Sequence, residues 1–310
     1  MSTETSQAVA PALDTSLVRR LIAGRFPQWA DLSLAPVASA GTANAMYRLG
    51  EDMVVRLPLT AGSARDVAKE HTWLPRLAPR LPVAVPAPLG QGEPTGDWPW
   101  PWSVYRWLDG HNPVPGRLEA PDRLAGDLAG FVAALRGLDP ADGPAAYRGE
   151  PLAERDAVTR EAVAELRGTV DGPAATAVWE EALGAPGPAG PVWIHSDLQP
   201  GNVLVTRGRL SAVIDFQCVG LGDGAVDLIA AWYLLPAGAR EVFRAAVGAD
   251  DAAWARGRGW ALSIAVLELR YYRGRDARMA AIAEHVVQEL LRDHRARHDG
   301  GTTPLRDGGR

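Results

Sequence analysis

The spacing of apolar residues changes along this chain of 310 residues. Between residues 32 and 57, short apolar runs alternate with small and polar residues, which is typical of β-strands. From residue 121 onward, apolar residues recur every three or four positions; Leu124, Leu128 and Val132, for example, share one face of a helix predicted over 121–138. The pattern therefore predicts an α+β protein in which a strand-rich part is followed by a mainly helical part.

Local signals set the bounds of the other predicted elements. Strands are predicted over 34–37, 45–49, 53–57 and from 102 to about 106, and further helices over 64–77, 149–166, 173–184, 223–235, 239–247, 252–272 and 276–297. The polar residues 14–16 can cap a helix that starts at about residue 17. Residues 79–101 are too rich in Pro and Gly to form a helix. We interpret the tryptophans between 98 and 102 as packing residues rather than as a surface for carbohydrate stacking.

Two short β-type runs around a turn with a glycine predict a β-hairpin over 203–216. The loop in front of the hairpin contains His195, Asp197 and Asn202, and the second strand of the predicted hairpin carries Asp215. This spacing brings Asn202 and the two aspartates to the same end of a small sheet. The sequence therefore concentrates two carboxylates and an amide at one place.

This set of groups is what phosphoryl transfer requires. One carboxylate orients the attacking hydroxyl group, while an amide oxygen and a second carboxylate hold Mg²⁺ against the nucleotide phosphates. The kinase catalytic loop has the pattern H-x-D-x-x-x-x-N, followed by an aspartate on the next strand. The same order and spacing are found in His195, Asp197, Asn202 and Asp215. We therefore predict Asp197 as the catalytic carboxylate, with His195 bracing its loop. Asn202 and Asp215 are the predicted metal ligands.

The wider segment resembles the aminoglycoside phosphotransferase branch of the protein-kinase-like superfamily, whose members carry HGDLxPxN, then AVIDFG, then GDPxxDLA. This chain has HSDLQPGN at 195–202, AVIDFQ at 212–217 and GDGAVDLIA at 222–230. Ser196, Gln217 and Gly224 depart from the family pattern, and none of them removes a predicted ligand. Gln217 disfavours a mobile Asp-Phe-Gly switch, because the permissive glycine is missing.

The resemblance covers about residues 32–275 and implies a bilobal protein-kinase-like fold of the α+β class. Residues 1–108 would form a small β-rich, nucleotide-binding lobe with a hinge at about 105–109. Residues 109–298 would form a larger, mainly helical lobe for catalysis and substrate binding. The last residues, 299–310, have little with which to pack and are predicted to form a disordered tail.

The resemblance also implies where a nucleotide binds. The loop of small residues between two predicted strands, which contains Gly41, Thr42 and Asn44, would cover the phosphates with backbone N–H groups. Arg56, on the next strand, would grip the phosphates in place of the lysine of protein kinases. The alternative is a surface arginine that faces solvent. Glu70 would be the helix glutamate that pairs with this cation.

Three further interpretations follow from the same resemblance. At the hinge, backbone groups of Arg106 and Leu108 would bond the nucleotide base. Asp227 matches a family aspartate that bonds the backbone near the catalytic loop and braces it. The acidic residues of the helices predicted between 149 and 184 could hold a polycationic antibiotic, but arginines are interspersed among them. We therefore interpret that stretch as a solvated surface of mixed charge.

Composition excludes some classes of partner. The formal net charge of −5 argues against a nucleic-acid partner, which usually requires a basic surface. No apolar run is long enough to cross a bilayer and the N-terminus lacks a signal-peptide pattern, so we expect a cytoplasmic protein without a membrane partner. The single cysteine, Cys218, excludes an internal disulfide framework and is interpreted as a packed core thiol.

We therefore predict an enzyme that uses ATP or GTP and Mg²⁺ to phosphorylate a hydroxyl group of a small molecule. The resemblance implies an antibiotic as the acceptor, inactivated to give resistance: an aminoglycoside, or another natural product such as a nucleoside antibiotic or a macrolide. The first alternative is a kinase of a small metabolite such as choline, a sugar or an amino alcohol. The second is a nucleotide-binding pseudokinase regulator, which the intact Asp197, Asn202 and Asp215 disfavour. A protein kinase is disfavoured because a G-x-G-x-x-G loop and an Ala-Pro-Glu segment are missing.

Overall fold

The structure, a computed structural model, describes residues 13–37 and 43–299. Two compact units divide the chain: the first consists of Met1–Pro113 and Gly201–Val219, and the second of Val114–Pro200 and Gly220–Arg310. The strands in the described part are β1 (Leu34–Pro36), β2 (Asn44–Leu49), β3 (Met53–Pro58), β4 (Pro88–Gly92), β5 (Trp102–Arg106), β6 (Val192–Ile194), β7 (Val203–Thr206), β8 (Arg209–Val213) and β9 (Gly220–Gly222). The α-helices there are α1 (Thr15–Arg25), α2 (Ala61–Leu77), α3 (Pro121–Arg136), α4 (Asp156–Glu165), α5 (Gly172–Gly184), α6 (Ala230–Leu234), α7 (Ala237–Val247), α8 (Asp251–Tyr272) and α9 (Ala277–Asp299). The lobe boundary at residue 108 stays a prediction.

The first unit contains an antiparallel sheet of five strands, in the order β1-β2-β3-β5-β4. Val55 and Leu57 on β3 are fully buried and belong to one apolar core with Trp98 and Trp102. Because successive side chains of a strand point to opposite faces, Arg56 lies on the other face of β3 from these two residues. The apolar pattern of β3 therefore decides the side of the sheet on which the arginine stands.

Strand β4 lies in the segment for which the sequence predicted no helix. This fully described segment, 79–101, contains no α-helix, but β4 pairs with β5. A Cβ atom at Gly92 would lie 2.0 Å from the ring of Trp102, so the position has room only for glycine. The glycines of β4 made a strand difficult to predict from the sequence, and in the structure they make room for aromatic rings. Trp98, Trp100 and Trp102 are all buried, which confirms their interpretation as packing residues.

Capping side chains decide where the first two helices begin. The Asp14 carboxylate accepts a hydrogen bond from the Leu17 N–H at 2.7 Å, and α1 begins between them at Thr15. Thr60 accepts from the Ser63 N–H at 3.2 Å. This threonine starts α2 at Ala61, three residues before the predicted start, because its cap satisfies a free N–H group of the first turn.

In the second unit, α8 is buried along most of its length. Two predicted helices are shorter than expected. The helix predicted over 149–166 begins only at Asp156, after a 3₁₀ turn at Leu152–Arg155, because Gly and Pro at its predicted start disfavour an α-helix. The first half of the helix predicted over 223–235 is a 3₁₀ helix, Gly224–Ile229, followed by α6. Among the described helices, none is both long and apolar enough to cross a membrane.

The predicted hairpin is formed by β7 and β8 and belongs to the first unit. Its second strand lies three residues earlier than predicted, since β8 spans Arg209–Val213 rather than 212–216. Asp215, predicted to lie on the strand, lies two residues beyond it in a left-handed backbone conformation with φ of 64°. Aspartate is among the few residues that tolerate this conformation. Cys218, which follows closely, is buried, as predicted for a packed core thiol.

Candidate active site

Arg56 forms a buried ion pair in the first unit. Its Nη1 atom lies 2.9 Å from each carboxylate oxygen of Glu70, whose residue is only 1% exposed. Lys69, the neighbour of Glu70, pairs instead with Asp66 on its own helix. The expected pair of strand cation and helix glutamate is therefore present. The alternative of a solvent-facing arginine is wrong, because Arg56 is only 9% exposed.

The other end of the Arg56 guanidinium reaches the segment after the hairpin. Its Nη2 lies 3.1 Å from Asp215 Oδ1 and 3.2 Å from Gln217 Oε1. Gln217 Nε2 in turn donates to Asp215 Oδ2 at 3.3 Å. Asn44, with its amide oxygen turned toward Arg56, accepts from Nε at 3.2 Å and from Nη2 at 3.1 Å. Burial opposes the positive charge, but the carboxylates of Glu70 and Asp215 outweigh it, and the pKa of Arg56 stands above its ordinary value.

Tyr105 is a member of this cluster that the sequence did not indicate. Its hydroxyl group donates to Glu70 Oε2 at 2.7 Å. Burial, and then the charge of Glu70, raise the pKa of Tyr105 well above its ordinary value, so the phenol stays a neutral donor. Tyr105 lies on β5, opposite Val54 of β3. Only the pairing of these two strands brings it beside Glu70.

A backbone hydrogen bond of the hairpin joins Asn202 to the residue that precedes Asp215, and Asn202 and Asp215 are the two predicted metal ligands. The N–H group of Ile214 donates to the carbonyl group of Asn202 at 2.9 Å, so Asp215 directly follows a residue bonded to Asn202. An amide oxygen and a carboxylate are suitable ligands for Mg²⁺. Among the described residues, no group of three or more His, Cys, Asp or Glu side chains could hold a metal ion. One amide oxygen and one carboxylate would leave the other ligand positions of Mg²⁺ to phosphates and water.

The structure describes only some of the other residues that were predicted to contact the nucleotide. Gly41 and Thr42 lie outside the described residues. At the predicted hinge, the N–H group of Arg106 donates to the carbonyl group of Ala87 at 3.0 Å. This donor is used within the protein, so the predicted role of Arg106 would fall to its carbonyl group. The contact of Leu108 with a base stays a prediction.

In the second unit, a buried aspartate holds the loop that carries Asp197. Asp227 is 0% exposed and accepts from the N–H groups of His195 at 2.8 Å and Ser196 at 2.7 Å. His195 Nδ1 in turn accepts from the N–H group of Asp197 at 3.3 Å. Burial raises the pKa of Asp227, while His195 and the two backbone donors oppose the shift. These are the contacts expected of Asp227 from the sequence.

Arg148 supports the same loop, although it lies nearly fifty residues earlier in the chain. Its backbone N–H donates to Ser196 Oγ at 3.1 Å, and its Nη1 lies 2.5 Å from the Ser196 carbonyl oxygen. The same nitrogen is 3.0 Å from Asp197 Oδ1. Gln199 Nε2 also reaches Asp197 Oδ1, at 3.2 Å. The Asp197 carboxylate is thus held by two donors.

A comparison with known protein families shows which family the chain belongs to. Residues 35–260 match the profile of the phosphotransferase enzyme family, which is well over half of the chain. The chain belongs to this phosphotransferase family. The prediction of a phosphotransferase enzyme is therefore confirmed. No curated protein sequence matches the chain.

Solved structures show the fold of this phosphotransferase. The GDP complex of aminoglycoside 2'-phosphotransferase-IIIa superimposes with a TM-score of 0.72 at 21% identity, over 91% of this chain and 100% of that chain. The macrolide 2'-phosphotransferase of Brachybacterium faecium superimposes with a TM-score of 0.60 at 23% identity, over 88% of this chain and 97% of that chain. These similarities confirm the predicted bilobal, protein-kinase-like α+β fold.

Each of the three departures from the phosphotransferase family pattern has a neighbour that explains it. Ser196 has a φ of 74°, where glycine is usual, and Arg148 bonds both its hydroxyl and its carbonyl group. Gln217 bonds two members of the Arg56 cluster. The carbonyl group of Gly224 accepts from Arg136 Nη2, and a Cβ atom there would lie 3.0 Å from Arg136 Nε. The sequence carries no local signal for these partners, because each is distant along the chain.

We expect Asp227→Asn to destabilise the protein. An amide offers one acceptor oxygen and would turn its NH₂ group toward the second backbone donor, so one buried N–H would lose its partner at a cost of about 1–3 kcal/mol. Urea unfolding of the variant and the wild type measures this loss. Asp142→Asn is the matched control, because Asp142 is exposed. Equal midpoints for Asp227→Asn and the wild type would contradict a bracing role.

Proposed function

We propose that this phosphotransferase transfers the γ-phosphoryl group of ATP or GTP, with Mg²⁺, to a hydroxyl group of a small molecule. The observation that carries the proposal is the Arg56 guanidinium, which contacts Glu70 and Asp215 at once. A guanidinium that two carboxylates hold in place is positioned to bind phosphate oxygens. Asp215 and Asn202 would hold Mg²⁺, which neutralises the charge on the phosphates.

Asp197 serves the acceptor in this proposal. Its carboxylate accepts a hydrogen bond from the acceptor hydroxyl group, orients it, and takes its proton late in the transfer. The hydroxyl oxygen forms a bond to the γ-phosphorus while the bond from that phosphorus to the bridging oxygen breaks. The products are a phosphate ester and ADP or GDP. Arg148 and Gln199 keep the carboxylate in place through their contacts with Oδ1.

An antibiotic is the acceptor that we propose, with resistance as the consequence. Support comes from the aminoglycoside and macrolide phosphotransferases that share the fold, and from an aminoglycoside 2''-phosphotransferase solved with GDP and kanamycin (TM-score 0.69, 21% identity, 89% of this chain and 98% of that chain). A metabolite kinase is the second candidate, because one fold hosts many acceptors. Because the nucleotide substrates are cytoplasmic metabolites, the proposal places the enzyme in the cytoplasm.

A panel of acceptors tests the proposal. ADP or GDP release is measured with ATP and with GTP, in the presence of Mg²⁺, for aminoglycosides, macrolides, nucleoside antibiotics, choline, sugars and amino alcohols. We expect release that depends on one of the antibiotics. Turnover only with a metabolite would support the metabolite kinase. Nucleotide binding without turnover on any acceptor would support a pseudokinase regulator.

We expect Asp197→Ala to lower kcat by about 10²–10⁴-fold, the usual contribution of a general base. The KM for ATP should change little, because the lost carboxylate acts mainly in the transition state. Steady-state kinetics with the identified acceptor measure both constants. Asp31→Ala, at an exposed position, is the control. A variant with near-wild-type turnover would remove Asp197 from the mechanism.

We expect Asp215→Asn to weaken Mg²⁺-dependent ATP binding by about tenfold or more, because an anionic ligand of a hard cation becomes neutral. Isothermal titration calorimetry with ATP, with and without Mg²⁺, measures the effect. Binding of ATP alone should change much less than binding of Mg·ATP. Equal Mg·ATP affinities for the variant and the wild type would show that Asp215 is not a metal ligand.

We expect Arg56→Lys to keep part of the activity with a raised KM for ATP. A single ammonium group cannot contact Glu70, Asp215 and a phosphate in the way a planar guanidinium can. Arg56→Ala should lose much more, and Glu70→Ala should resemble the lysine variant, since it removes only a positioning group. Arg65→Lys, an exposed change on α2, is the control. An unchanged KM for ATP in Arg56→Ala would exclude a role of this arginine in nucleotide binding.

A further inference from the structure

A carboxylate on α8 is bonded at both of its oxygens in the second unit. Glu268 Oε1 accepts from Gln199 Nε2 at 2.7 Å, and Oε2 accepts from the hydroxyl group of Tyr233 at 2.7 Å. Burial raises the pKa of Glu268, and the two hydrogen bonds oppose the shift. The neighbouring residues Ala265 and Leu269 are buried and apolar. A polar group in this setting needs a reason beyond packing, because burying a carboxylate is costly.

The contacts of Gln199 connect this carboxylate to the Asp197 loop. Its Nε2 atom carries two hydrogens, and it lies 2.7 Å from Glu268 Oε1 and 3.2 Å from Asp197 Oδ1. One NH₂ group therefore bridges two carboxylates. The amide is oriented by the stronger, shorter contact with Glu268, and this orientation directs its second hydrogen to Asp197.

We propose that Glu268 is a positioning residue for phosphoryl transfer, which fixes the Asp197 carboxylate through Gln199. This role rests on the proposed function of Asp197. Tyr233 completes the chain of hydrogen bonds, because its hydroxyl group donates to the second oxygen of Glu268. Burial and the charge of Glu268 raise the pKa of Tyr233 well above its ordinary value, so the hydroxyl group stays protonated.

The position of a catalytic carboxylate has a large effect on rate. A displacement of about 1 Å at a reacting group can cost about 10²-fold. Without Glu268, the Gln199 amide can rotate away, and Asp197 Oδ1 then loses the donor that lies beside Arg148. Loss of Glu268 should therefore lower kcat and leave the KM for ATP nearly unchanged.

A different role for Glu268 would be a direct charge contact with the acceptor. The variant Glu268→Gln distinguishes the two roles. Its amide oxygen can still accept from Gln199, and its NH₂ group can donate to the Tyr233 oxygen, because a phenol is also an acceptor. Both hydrogen bonds are thus kept while the negative charge is removed. If the carboxylate acts by position, this variant retains most of the activity.

The experiment compares Glu268→Gln with Glu268→Met, which has a similar size but makes neither hydrogen bond. The probe is Mg·ATP with the acceptor found in the panel at saturation; if the panel yields none, water is the acceptor and phosphate release is measured. We expect Glu268→Met to lose about 10–100-fold in kcat, as supporting residues at active sites commonly do, and Glu268→Gln to lose less than about threefold. Glu241→Met, on an exposed side chain, is the control.

Double variants that combine Glu268→Met with changes at Gln199 or Asp197 distinguish a positioning role of Glu268 from a general loss of stability. The double variant Gln199→Met/Glu268→Met should be no slower than the slower single variant, because both changes break one chain. In an Asp197→Ala background, Glu268→Met should have no further effect on kcat. Multiplicative losses in either combination would overturn the proposal.

Three other results are informative. A raised acceptor KM in Glu268→Gln, equal to that in Glu268→Met, would assign the charge to acceptor binding and overturn positioning. If Glu268→Met turns over like the wild type while Asp197→Ala is inactive, positioning fails and the proposed function stands. If Asp197→Ala itself stays active, the proposed function fails first. Should Glu268→Met not fold, Glu268→Gln and Gln199→Met still decide between position and charge.

Discussion

One buried guanidinium connects three segments of the first unit. Arg56 on β3 bonds Glu70 on α2 and Asp215 beyond β8; Arg56 and Glu70 are buried, and Asp215 is half-buried. A buried charge is tolerated only when it is paired, and removing one partner of such a pair typically costs about 3–5 kcal/mol. The cluster is therefore interdependent: the cation keeps the carboxylates together, and the carboxylates keep the cation charged and oriented.

In the second unit, the loop that carries Asp197 is held in a different way, by hydrogen bonds to its backbone N–H groups. Asp227 accepts from two consecutive N–H groups that burial would otherwise leave without a partner. Ser196 adopts a left-handed conformation, which costs a residue with a Cβ atom about 1–2 kcal/mol. The hydrogen bonds from Arg148 to this serine offset that cost. The loop can thus hold Asp197 in one place without the glycine that the family pattern shows there.

Two of the departures from the family pattern, Gln217 and Ser196, each bring a side chain that forms a new hydrogen bond near the candidate site. Gln217 adds an amide between Arg56 and Asp215, and Ser196 adds a hydroxyl group for Arg148 to bond. In Gln199, a position that the family motif leaves variable becomes a bridge from Glu268 to Asp197. These supporting contacts thus come from positions where this chain departs from the family motif or where the motif is variable.

The sequence by itself determined those features that depend on neighbours along the chain. The helices with clear caps, the hairpin, and the spacing from His195 to Asp215 follow from local periodicity and turn chemistry, and the family motif identified the enzyme class. The resemblance also led to the pair of Arg56 and Glu70, fourteen residues apart.

Only the tertiary structure decided which distant side chains meet these groups. The Tyr105 hydroxyl reaches Glu70 across 35 positions, Gln217 reaches Arg56 across 161, and Glu268 reaches Gln199 across 69. Strand β4 exists because its glycines accommodate aromatic rings of the core, and β8 ends before Asp215 because the backbone turns left-handed there. The physical reason is the same in each case: these contacts depend on how strands pair and helices pack, which local spacing along the chain does not encode.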